Sequence, residues 1–138
     1  VGHLSCGNLR FKLENLEKLK YDNVECANQA IDINAECSEI AILANAEYDH
    51  QIDYMEVCGN DTKQIVEIST TSWQCTPVLG DTVMWTGIGA IQAYGQIIKD
   101  PGERRLFGKI YKLPNVVQVK YIILPNNPNF HIFAMSVR

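Results

Sequence analysis

Cysteine is absent from everything beyond residue 75 of this 138-residue chain, although Cys6, Cys26, Cys37, Cys58 and Cys75 precede that point. No Cys-x-x-Cys pair exists, which argues against a zinc ribbon or a thioredoxin-type site. No stretch approaches the roughly 20 apolar residues of a membrane-spanning helix. The longest weakly charged run, residues 82–98, is broken by Gly87, Gly89 and Gly95. No basic start followed by an apolar core marks a secretory signal, and a removed one would leave no trace. Leu4-Ser5-Cys6-Gly7 matches a lipoprotein processing box only in part, because His3 stands where an aliphatic residue belongs.

Charge is unevenly spread. Residues 1–75 carry 5 Lys/Arg against 13 Asp/Glu, and residues 76–138 carry 7 against 3. The halves are thus net acidic (with all the cysteines) and net basic (with none), which places them against different surroundings or on different faces. The 46% apolar and 20% charged content is that of a globular domain. With no linker or low-complexity tract, residues 1–138 read as one domain.

An odd number of cysteines allows two internal bridges and one spare thiol, and the spacing does not choose the pairing. Cys6, Cys26, Cys37, Cys58 and Cys75 are all disulfide candidates, with an intermolecular bridge open to the unpaired one. The competing reading is five reduced thiols packed as small hydrophobes. Asn60-Asp61-Thr62 fits the N-glycosylation pattern inside a turn-like segment, making Asn60 a candidate acceptor.

Leu9, Leu13 and Leu16, with Leu19 following, predict an amphipathic helix over residues 8–20, capped by Asn8. Residues 24–46 lean towards strand, and residues 48–54 and 64–75 predict a hairpin around Gly59-Asn60-Asp61. Lys99-Asp100-Pro101-Gly102-Glu103 predicts a turn, as do Leu113-Pro114-Asn115 and the segment from Pro125 to Asn129. The fold class expected is β-rich α+β: an antiparallel sandwich or barrel of short strands with one N-terminal helix.

Few residues suit catalysis. His3, His50 and His131 are the only histidines, and none belongs to a recognisable nucleophile motif. Glu47, Asp49, His50, Asp53 and Glu56 crowd together, but a strand would send them to opposite faces, so they read as a solvated acidic edge. If residues 105–112 form a strand, Arg105, Phe107, Lys109 and Tyr111 share a face of alternating cations and rings. Bases stack on such platforms at about 1–3 kcal/mol each; the plainer alternative is a strand whose rings pack inward. A pI near 5.3 disfavours a dedicated nucleic-acid binder.

These observations together predict a non-enzymatic, extracytoplasmic or secreted protein-recognition domain, such as an effector, an inhibitor or a surface or viral protein fragment. It has no cofactor, no metal and no membrane span. Its partner is another protein, engaged through Arg105, Phe107, Lys109, Tyr111 and Trp85. The alternatives are a cytosolic or viral β-barrel binding single-stranded nucleic acid, and a thiol hydrolase.

Overall fold

Phe11 settles the N-terminal element. Of the four leucines behind the expected helix, Leu9 and Leu13 share a face in a helix and in a strand alike, and Leu16 and Leu19 lie outside the described residues. In the computed structural model, which describes residues 2–13 and 23–138, β1 (Gly2–Cys6) and β2 (Leu9–Leu13) form an antiparallel hairpin. Leu9 and Phe11 are buried while Arg10 and Lys12 are exposed, a period of two. Asn8, the expected cap, is instead the second residue of a two-residue loop. Gly7 opens that loop at φ +55, the glycine-first pattern of a type II′ turn. Residues 14–20 of the expected helix lie outside the described residues. Among the described residues there is no helix, so the α+β expectation is corrected to an all-β sandwich or half-barrel.

The remaining strands are β3 (Val24–Ala27), β4 (Ala30–Ala46), β5 (Gln51–Cys58), β6 (Lys63–Thr70), β7 (Thr82–Ala93), β8 (Gln96–Ile123) and β9 (Asn126–Val137). They form one antiparallel sheet ordered β3-β9-β4-β8-β5-β6, with β7 also on β8. The expectation of short strands fails at β4 and β8, of 17 and 28 residues. Each is shared between two layers. Residues 39–46 of β4 lie between β8 and β9, whereas residues 30–37 pair with the end of β8, which continues to β5 and β6. The change of layer falls at a bulge, where Cys37 pairs with Val117 and Glu39 with Lys112. Residues 113–116 are then opposed by Ser38 alone, and such insertions bend a strand and sharpen its twist. Pro114 sits there, so the break expected at Leu113-Pro114-Asn115 is a bend inside β8.

Two apolar clusters follow from this bending. Ile40, Ile42 and Ala44 of β4 meet Met55, Val57, Val66 and Ile68 of β5 and β6, together with Phe130 and Ile132 of β9. On the other side of β4, Leu43 meets Leu9 and Phe11 of the hairpin. Residues 40–44 therefore read as an unbroken apolar run, as a strand covered on both faces should. Gly108 lets the hairpin approach: a Cβ there would lie 3.0 Å from Leu9 Cδ1 and 2.8 Å from Met84 Cγ.

The expected turn at Lys99–Glu103 is also corrected. Gly89 pairs with Asp100 and Ile88 with Glu103, leaving Pro101 and Gly102 as a bulge within β8. Asp100 holds it, accepting the Gly102 N–H at 3.0 Å and pairing with Arg104. The reversal lies earlier, at Tyr94-Gly95, whose φ values of 52 and 74 are both positive. That is the type I′ signature, whose twist matches the strands it joins. The acidic and basic halves are interleaved, because β4 of the first pairs with β8 and β9 of the second.

Candidate functional site

Arg105, Phe107, Lys109 and Tyr111 do share one face of β8, and that face is occupied. Phe107 and Tyr111 are buried. Above them runs the segment joining β6 to β7, residues 71–81, tied down at several points. Lys109 Nζ donates to Ser69 Oγ and to Leu79 O, each at 2.6 Å. Arg105 Nη1 donates to Gln74 O at 3.1 Å, and its main-chain N–H to Trp73 O at 2.9 Å. The Tyr111 hydroxyl donates to Ser69 O at 2.8 Å and accepts the Ser69 N–H at 3.0 Å. Burial raises the Tyr111 phenol to about 12. The cations expected to hold a partner hold the protein's own strap.

The strap is also closed end to end by its own residues and held by His50 and Arg104 from outside it. Asp81 is buried, and its carboxylate accepts the Thr71 N–H at 2.7 Å and the Thr71 hydroxyl at 2.8 Å. The Ser72 N–H donates to His50 Nδ1 at 3.0 Å. The Arg104 guanidinium lies 4.8 Å over the Trp73 ring, a cation–π contact. Ser69, Thr70, Thr71 and Ser72 are all buried. That run of four consecutive hydroxyl residues is the feature of the sequence that marks the polar seam.

The cysteines are all free, which corrects the bridged reading. Cys26, Cys37 and Cys58 stand on β3, β4 and β5, none opposite another, with Cys26 and Cys37 inside the main core. They pack as small hydrophobes. Burial, with Asp53 nearby, pushes the Cys26 thiol up to about 12, and burial raises Cys37 as well. A nucleophile needs the opposite shift. Cys6 and Cys75 are exposed. The extracytoplasmic expectation thereby loses its sulfur support. Asn60 is exposed in the β5–β6 loop.

The acidic crowd is dispersed. Glu56 pairs with Lys63 at 2.7 Å, Asp53 accepts from Asn127 at 3.1 Å, and Glu47 lies 3.7 Å from His131. No group of three or more metal-ligating side chains converges among the described residues.

Among the described residues, exposed apolar side chains stand on β5 and β6 (Ile52, Tyr54 and Ile65) and along the hairpin arm of β7 and β8 beyond the β4 pairing. β8 begins to pair with β4 at Phe107, so residues 96–104 have only β7 beside them. Ile88, Ile97 and Ile98 are 67%, 79% and 48% exposed, and Tyr94 at the tip is fully exposed. Trp85, one of the expected anchors, is 43% exposed on the same strand, nearer the body. Residues 82–98 contain no Asp, Glu, Lys or Arg. That charge-free run with Tyr94-Gly95 in it is visible in the sequence, but lack of charge does not tell an exposed ribbon from a buried one.

Fold and strand order define an all-β sandwich built on two bent strands. The chain belongs to the AziU2-like β-sandwich domain family, whose model matches residues 2–138. No curated protein matches it.

Proposed function

We propose that this chain is a non-catalytic protein-recognition domain whose contact element is the β7–β8 arm. The observation that carries this reading is a two-stranded ribbon projecting with Ile88, Tyr94, Ile97 and Ile98 in solvent. A lone ribbon is marginally stable in water, and clustered exposed apolar side chains mark interaction surfaces. Trp85 adds the kind of aromatic anchor that dominates interface energetics. An arm whose β7 strand and tip carry no charge, and whose two cations on β8 are matched by Asp100 and Glu103, suits a protein surface better than a phosphate backbone, whose binding is driven by cations.

A photo-reactive residue placed at Ile97, and in parallel at Lys112 on β8 within the body, tests it. Discrete protein adducts are expected from position 97 and not from 112. Absence of any adduct at 97 in cells expressing the chain would remove the arm as the contact element.

A further inference from the structure

Resting on that reading, we infer that the arm's occupant is a second copy of this chain, joined through the open edge of β7 by antiparallel strand pairing. Three strands end the main sheet: β3, β6 and β7. β3 is four residues long and carries Glu25; β6 carries Lys63 and Glu67. Short length and charge are the usual devices against edge-to-edge association. β7 has neither: its 12 residues contain no charged side chain and no proline. The other rim of the same arm, on β8, carries Lys99, Asp100, Glu103 and Arg104, so only one rim is left unguarded.

The hydrogen-bond phase fixes which groups are open. Ala93 and Gln96 flank the two-residue turn, and in such hairpins that pair exchanges both main-chain hydrogen bonds. Alternation then turns the main-chain N–H and C=O of Gln92 and Ala90 outward. Two copies related by a two-fold axis at Ile91 would bring Ala90 of one opposite Gln92 of the other. Each would supply the bonds its partner lacks. An isologous contact of this kind needs a surface that does not repel itself, and a charge-free edge meets that condition. The result is a four-stranded ribbon across the two copies, which relieves the marginal stability of a two-stranded one.

Ala90→Lys and Ala90→Pro test the inference with the full chain. Ala90 is exposed and its N–H points away from β8, so neither change removes a hydrogen bond within the arm. Sedimentation velocity from low-micromolar to several-hundred-micromolar concentration should show the wild-type chain passing to a dimer. Both variants should weaken that dimer by roughly tenfold or more, with unchanged thermal melting of the monomer. Glu67→Lys at the β6 edge should leave it intact. A wild-type chain that stays monomeric throughout, or an Ala90→Lys variant that dimerises equally well, overturns self-pairing. Monomeric behaviour together with a different protein captured at position 97 would overturn this inference alone. Monomeric behaviour with no capture would overturn the recognition reading as well.

Discussion

Two stretches of the same strand make the instructive contrast. Residues 105–111 of β8 are rich in cations and rings, and they are roofed by the strap on one face and by the β1–β2 hairpin on the other. Residues 96–104 begin with uncharged side chains and have β7 as their single strand neighbour, with Arg104 at their end reaching the Trp73 ring of the strap. Composition suggests the reverse assignment, with charge outside and isoleucine inside. What decides is pairing: the strand is covered where β4 joins it, and there Arg105 and Lys109 donate to the strap carbonyls of Gln74 and Leu79.

The covered stretch should be the costly one to disturb. Phe107→Ala should destabilise the fold by about 3–5 kcal/mol, measured by urea unfolding. A loss below about 1 kcal/mol would mean that the ring is not held between strap and sheet. Asp81→Ala strips the strap of its carboxylate anchor and leaves the buried Thr71 N–H unpaired, for an expected loss of about 1–3 kcal/mol. Proteolysis between residues 73 and 80 should then accelerate at temperatures below global melting.

Alkaline pH probes the same interior. The Cys26 thiol rises from 9.0 to about 12, and the Tyr111 phenol from 10.0 to about 12. Each group binds its proton more tightly when folded, so its stabilisation is complete below the unfolded value. It is lost as pH climbs from about 9 towards 12. The melting temperature should decline over that interval, and Cys26→Ala should flatten the first part of the decline. An unchanged profile in that variant would place the thiol in contact with water. The smallest effect belongs to the arm: Ile97→Ser should shift the dilute chain's stability by no more than about 0.5 kcal/mol.

Much of this contrast was legible and some was misread for identifiable reasons. The alternation of Arg105, Phe107, Lys109 and Tyr111 correctly put four side chains on one face. It could not say which face was roofed, because Leu106 and Ile110 on the opposite side also pack against apolar neighbours. The β5–β6 hairpin followed from its turn residues and its burial of Val66, Ile68 and Thr70. The Pro101-Gly102 pair imitates a turn, yet a bulge tolerates the same two residues. Tyr94 is a poor advertisement for a left-handed position, so the real reversal was passed over. The helix arose from Leu9, Leu13, Leu16 and Leu19 at helical spacing, but in the described part of that segment Phe11, two residues from both Leu9 and Leu13, marks the period of a strand. The bridges arose from cysteine number alone, which carries no geometry.

Amide hydrogen exchange along β8 tests the central claim most directly, since one strand supplies both halves of the comparison. In dilute solution, amides of residues 97–99 should exchange far faster than those of residues 107–111, and the gap should narrow when the arm's partner is present. Equal protection in both stretches of the isolated, dilute chain would contradict the account, because the arm would then be held as firmly alone as the covered stretch is by its neighbours.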